Sequence, residues 1–299
     1  MNLKSELSDI NVVVEENKDL SSFSTMRLKA KGTLITVSDA NILEKLLKRL
    51  SEKKIDYRIL GMGANTLISN DSTIPYITLK FSFDKEGLVD NGENFIFPAS
   101  LRLSTITSFA AKNNLKGWEV ITGVPATLGG AVVMNAGTSL GEIGSIVKRV
   151  WIIDNEGQSR IVEVDDESFS YRKNNFLKND EIIYQVELIN NGKDKSVSEV
   201  IRNYLKKRNE TQPMKEWTCG CVFKNASYNE KPCPAGKYID ILGLKGLAIG
   251  DMRVSRVHGN FFENTGESTR EDVLELIALA KDELYLQTGI MFDLEARID

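Results

Sequence analysis

Residues 123–135, Gly-Val-Pro-Ala-Thr-Leu-Gly-Gly-Ala-Val-Val-Met-Asn, constrain the fold more than any other stretch of this chain. Gly123, Pro125, Ala126, Thr127, Gly129, Gly130 and Ala131 form a run with almost no side-chain bulk. Glycine admits φ > 0 and lets a neighbour press directly against the main chain. The apolar residues 128–134 predict a short helix after the loop, and amides at a helix start are a ready anion site. The run therefore suits the phosphates of a large cofactor; a tight structural turn is the alternative. A second glycine turn, Gly61-Met62-Gly63-Ala64-Asn65, leaves the end of a predicted strand. Neither turn carries the Gly-Lys-Ser/Thr of a Walker loop, and Gly61-Met62-Gly63 lacks the third glycine of GxGxxG. A ligand shared by both turns must be long, and a flavin dinucleotide meets that length.

Around these turns the pattern predicts α/β units. Residues 23–38 alternate as strands do, and Asp39 then precedes Ile42, Leu43, Leu46, Leu47 and Leu50 on one helical face. Strands are predicted near 57–60, 66–69, 76–80, 94–99, 147–153, 159–164 and 182–188, and a helix over 101–114; Val197, Val200, Ile201, Tyr204 and Leu205 keep helical spacing in a further helix that must stop before Pro213. Ser268-Thr269-Arg270-Glu271 reads as a capping box for a helix that Gly289 stops. Beyond it, Ile290, Phe292, Leu294, Ala296 and Ile298 share one face of a predicted strand, which turns Glu295 off the apolar side. Segments 1–80, 81–211 and 212–299 form the expected units.

Of 299 residues, 38 are Lys or Arg and 42 Asp or Glu, a net charge of −4 that does not point to a general nucleic-acid binder. No apolar run reaches the roughly 18–20 residues that span a bilayer. The N-terminus lacks a secretory apolar region, so a cytoplasmic protein without a membrane partner is expected. Cys219, Cys221 and Cys233 are odd in number and lack a CxxC pair, and His258 is the one histidine. Neither a disulfide framework nor a metal site is expected.

The segments ILGMGANTLIS, GVPATLGGAVVMNAG, SYRKNNF, CGCVFKN, AGKYIDILGLKG and GIMFDLEAR occur in the order found in bacterial UDP-N-acetylenolpyruvoylglucosamine reductases. The resemblance runs from about Thr25 to Arg297. It implies an α+β fold: a vanillyl-alcohol-oxidase-type (PCMH-type) FAD-binding region of two subdomains, 1–80 and 81–211, plus a C-terminal substrate domain, 212–299. It also implies NADPH-dependent reduction of an enolpyruvyl ether on a UDP-sugar in peptidoglycan synthesis. FAD would lie against Gly61, Gly63, Ala64, Asn65, Thr66, Gly123, Pro125, Ala126, Thr127, Gly130 and Ala131. The short span after Tyr171 resembles the subtype without an inserted substrate-closing loop. Another flavin enzyme on the same fold, or a non-catalytic flavin protein, is the rival reading.

The resemblance also implies catalytic residues, and each has a plainer alternative. Negative charge built on the carboxylate-bearing carbon requires fixed positive charge and a proton donor. Arg172, after Tyr171, matches the family arginine and has a guanidinium that forks onto carboxylates; a surface ion pair is the alternative. Glu295 matches the C-terminal glutamate; an exposed strand carboxylate is the alternative. Family members usually carry Gly-Ser-x-Phe-Lys-Asn, and here Cys221 stands in the serine's place. A thiol, with an ordinary pKa of about 8.5, is a stronger acid than an alcohol; a small buried cysteine is the alternative. Tyr171, Lys224 and Asn225 are expected on the substrate. His258, in Val-His-Gly-Asn-Phe, either contacts substrate or NADPH or serves the fold. Two further departures from the family pattern are Lys29-Ala30-Lys31-Gly32 in place of a Gly-Gly pair, and Ala126 where glycine follows the proline.

Overall fold

Asp39 begins the first long helix by accepting a hydrogen bond from the Ile42 N–H at 2.9 Å. The helix runs Ala40–Glu52 and buries Leu43, Leu46, Leu47 and Leu50 completely. Each such leucine stabilises the fold by about 1.5–3 kcal/mol. They pack on Ile35, Val37 and Ile77 of a sheet with strand order Val13–Asp19, Lys31–Val37, Tyr76–Leu79, Arg58–Ile59. The last three strands are parallel, with Leu34 opposite Tyr76. The alternation predicted over 23–38 becomes a strand only at Lys31; a 3-10 turn, Ser21–Phe23, precedes it.

This computed structural model describes residues 3–69, 73–83 and 94–298. Two units emerge, one drawn from Met1–Glu16, Thr33–Gly61 and Thr73–Leu205, the other from Asn17–Gly32, Met62–Ser72 and Lys206–Asp299. Each unit draws on three separated stretches of chain.

The first unit holds a second sheet, antiparallel throughout, in the order Ser159–Glu163, Val147–Ile153, Ile182–Ile189, Asn94–Pro98. Helix Leu103–Asn113 and helix Leu128–Val133 belong to its core, with Phe95, Phe97 and Trp118 clustered edge to face. A short hairpin, Phe169–Ser170 with Lys173–Asn174, makes Tyr171 and Arg172 its two turn residues. The chain then returns directly to strand Ile182–Ile189. That return is fastened by Arg160, whose guanidinium donates to both carboxylate oxygens of buried Glu181 at 2.8 and 2.7 Å.

The second unit packs helix Arg270–Thr288 and helix Ala235–Ile241 with the strands Ala248–Ile249, Met252–Val254 and Phe262–Asn264. Met26, Leu28 and Leu67, far away in sequence, complete this core. The capping box exists one residue later than predicted. Thr269 is the cap, accepting from the Asp272 N–H, while the Asp272 carboxylate accepts from the Thr269 N–H at 2.8 Å. The predicted last strand is reduced to Arg297–Ile298, paired in parallel with Thr66–Leu67. Its alternation still governs burial, since Ile290, Phe292 and Ala296 are buried. Ile298 breaks the pattern and is exposed.

Candidate functional site

In the first unit, Thr127 caps the helix Leu128–Val133 and its hydroxyl accepts from the Gly130 N–H at 3.4 Å. The donors expected to cradle an anion there are already engaged. Leu128 N–H donates to Leu101 O, Gly129 N–H to Ala99 O, Ala126 N–H to Val124 O and Ala131 N–H to Thr127 O. Ala131 is also fully buried in the core. What remains at the surface of this loop is the small-residue face itself, with Pro125 and Gly130 exposed and Gly123 at φ +74°. Gly61 stands against that face. A Cβ there would lie 2.7 Å from Thr127 Oγ1, so only glycine fits without moving the cap.

The Gly61–Asn65 turn is the opposite case. Among the described residues, none of the N–H groups of residues 61–65 donates a hydrogen bond. The turn thus leaves a run of successive main-chain donors unengaged among the described residues, the kind of group that anions bind. Gly63 has φ +58°, and a Cβ there would collide with the carbonyl oxygen of Phe23. The Asn65 side chain serves the fold, because its Nδ2 donates to Glu295 O at 2.7 Å and its own carbonyl accepts from Arg297 N–H. Thr66 begins the strand paired with Arg297.

Arg172, in the first unit, lies in the left-handed region at φ +56°, a conformation that persists only where the surroundings impose it. Its guanidinium donates to Gly137 O at 3.3 Å, faces Glu142 Oε1 at 3.7 Å, and stands 5.0 Å over the ring of exposed Tyr171. The ion pair considered from sequence is therefore present, on a side chain that is only 17% exposed.

The second unit brings Cys221 and Glu295 onto one strip of paired backbone. Residues 221–224 lie between two segments. On one side Cys221 bridges Phe261, and Val222 N–H donates to Asn260 O. On the other, Glu295 N–H donates to Val222 O, and Lys224 N–H to Asp293 O. The buried Asn260 side chain adds a reciprocal pair, accepting from Phe223 N–H at 2.9 Å and donating to Phe223 O at 2.7 Å. Cys221 is half-buried. Its neighbour Cys219 is fully buried, and burial above all, with Cys221 and Glu295 adding to it, pushes that thiol up to about 12. Cys219 is thus a protonated core residue.

The remaining predicted residues differ in how far the fold already engages them. Lys224 is half-buried, and its ammonium has no ion-pair partner among the described residues. Asn225 accepts from Ala235 N–H at 3.1 Å, at the start of helix Ala235–Ile241. His258 serves the fold with one ring nitrogen: Nδ1 accepts from Asn260 N–H at 3.2 Å, and the ring meets Phe261 edge-on. Burial, then the Lys245 charge, lowers its pKa, so the imidazole is neutral with its proton on Nε2. Asn135, Glu142 and Asn260 were not singled out from sequence. Only Asn135 left a signal, as an asparagine just past a helix end, where left-handed backbone is common.

The family model for the UDP-N-acetylenolpyruvoylglucosamine reductase C-terminal domain matches residues 212–298, and one described as an FAD binding domain matches 33–165. The UDP-N-acetylenolpyruvoylglucosamine reductase of Prochlorococcus marinus (strain NATL2A) is 32% identical over 292 residues, 96% of this chain and 98% of that protein. The chain belongs to the UDP-N-acetylenolpyruvoylglucosamine reductase family. The reductase of that name from Alkaliphilus oremlandii (strain OhILAs) is 33% identical over 257 residues, covering 86% of this chain and 83% of the relative. The crystal structure of the Thermus caldophilus reductase aligns at 29% identity with a TM-score of 0.79, over 96% of this chain and 98% of that one. The expected α+β architecture with an FAD-binding region is therefore that of the reductase family. No helix among the described residues is long and apolar enough to cross a membrane.

Proposed function

We propose that this protein reduces UDP-N-acetylglucosamine enolpyruvate to UDP-N-acetylmuramate for peptidoglycan synthesis, with NADPH as reductant, FAD as bound cofactor and the cytoplasm as its location. Residues 1–80 and 81–211 are the FAD-binding subdomains and 212–299 the substrate domain. The observation that carries the reading is the strip of paired backbone holding Cys221 and Glu295 together, inside the segment that matches the family's C-terminal model.

The unengaged amides of residues 61–65 would hold the FAD diphosphate, and the small-residue face of Gly123, Pro125, Thr127 and Gly130 would lie along the cofactor. FAD supplies a two-electron path from NADPH to the substrate alkene. The chain's own residues manage charge and protons. Arg172 grips the substrate carboxylate with its fork and steadies the negative charge that builds beside it. Cys221 delivers the proton from Sγ to the carboxylate-bearing carbon, a transfer that general-acid catalysis accelerates by about 10²–10⁴-fold. Glu295 orients the carboxylate end or a bound water at the same carbon. Tyr171 flanks the arginine. Lys224 and the Asn225 amide meet the UDP phosphates, and His258 Nε2–H faces substrate or NADPH.

The test separates two half-reactions. Cys221→Ala should leave bleaching of the flavin by NADPH intact and slow its recolouring by the enolpyruvyl substrate by about 100-fold or more. Cys221→Ser should retain most of the wild-type rate. Recolouring of Cys221→Ala at the wild-type rate would remove Cys221 as the proton donor. A preparation that takes up no FAD would remove the whole reading.

A further inference from the structure

We propose that Glu142 is a positioning residue for Arg172, held from behind by the buried side chain of Asn135. The inference rests on the reading of Arg172 as the group that engages the substrate carboxylate.

Asn135 is 1% exposed and occupies left-handed backbone at φ +42°. Its polar atoms are all engaged: Nδ2 donates to Glu142 Oε2 at 2.7 Å and to Ser170 O at 3.0 Å, and Oδ1 accepts from Gly144 N–H at 3.1 Å. A buried amide satisfied in this way is rigid and sets the register of what it binds. Here it binds two things at once. Ser170 opens the hairpin that presents Tyr171 and Arg172, and Glu142 is the carboxylate facing Arg172. One side chain therefore fixes both the arginine's base and the anion that aims it.

Glu142 meets Arg172 through its other oxygen, Oε1, at 3.7 Å from Nη1, while Nη2 reaches Gly137 O at 3.3 Å. With the Glu142 side chain 37% exposed, an ion pair of this length contributes little stability. Its consequence is orientation, because a guanidinium keeps its charge at every working pH and only its direction is adjustable. Gly137 shows how closely the three groups fit. A Cβ there would lie 2.7 Å from Glu142 Cγ and 3.0 Å from Arg172 Nη1.

Glu142→Gln tests this without disturbing shape, since its amide oxygen still accepts from Asn135 while its charge toward Arg172 is gone. Flavin content, thermal midpoint and the rate of bleaching by NADPH should match wild type. The rate of recolouring by the enolpyruvyl substrate should fall roughly 10- to 100-fold, the scale of a misplaced reacting group, and substrate affinity measured by titration should weaken. In an Arg172→Ala background, Glu142→Gln should slow the reaction no further. Gly137→Ala, which displaces both side chains and deletes neither, should show the same split between half-reactions. A wild-type recolouring rate in Glu142→Gln, alongside a slow Arg172→Ala, overturns the role of Glu142 and leaves that of Arg172 standing. A fast Arg172→Ala overturns the reading of Arg172 itself. Full additivity in the double variant, or a lowered thermal midpoint with both half-reactions slowed, makes Glu142 a structural residue and also overturns the proposal.

Discussion

The two glycine turns of this molecule look alike in sequence and differ in what they offer a ligand. Residues 123–131 carry more small residues, yet the amides of Ala126, Leu128, Gly129, Gly130 and Ala131 are all engaged within the protein. Residues 61–65 are fewer and include Met62 and Asn65, yet their amides are all unengaged among the described residues. Small side chains and available donors are thus separate properties. The first turn gives a smooth surface that a helix and its cap hold rigid. The second leaves its run of N–H groups unengaged, in backbone that has no room for a Cβ at Gly63.

That contrast can be broken by substitution. Gly63→Ala carries the largest expected effect: left-handed strain plus a collision with the Phe23 carbonyl should destabilise the protein by about 4 kcal/mol or more, read as lost soluble expression or a collapsed thermal midpoint. A folded Gly63→Ala protein that binds FAD normally would show that the turn does not need its present shape. Gly61→Ala comes next. Its Cβ displaces Thr127 Oγ1, and FAD affinity measured by flavin fluorescence should fall about tenfold, equivalent to about 1.4 kcal/mol. Adding Thr127→Gly should recover part of that loss, and the coupling measures how far the turns act jointly. Thr127→Ala alone is the smallest change, about 1 kcal/mol of stability from the lost cap. If it instead abolished FAD binding with the fold intact, the hydroxyl itself would be a ligand and the distinction between the turns would weaken.

Local features were legible in the sequence where local physics decides them. The spacing of Leu43, Leu46, Leu47 and Leu50 behind Asp39 located the first helix, and Gly289, left-handed at φ +68°, stopped the last one where expected. The capping box was off by one residue because Ser268 and Thr269 are both good caps and only Asp272 reaches back to choose between them. The strand expected after Gly289 dissolved for a less local reason. Its amides change partners, from Val222 O at Glu295 and Ala296 to Asn65 O at Arg297, so no single ladder forms. The candidate site followed the same rule. Motifs named Arg172, Cys221 and Glu295, but the engaged amides of residues 126–131, the clamp from Asn65 and the hub at Asn135 depend on contacts that no short window of sequence contains.

The buried side chain of Asn264 donates to Met26 O at 3.0 Å, and Met26, Leu28 and Leu67 lie in a core otherwise built from residues 219–296. During synthesis these early segments leave the ribosome roughly 10–40 s before their partners exist, at typical elongation speeds of about 5–20 residues per second. Until then three large apolar side chains have nowhere to go, which makes the nascent chain a natural client for chaperones. A fragment cut at residue 206 would inherit the mirror-image defect, a hydrophobic interior missing its N-terminal plug.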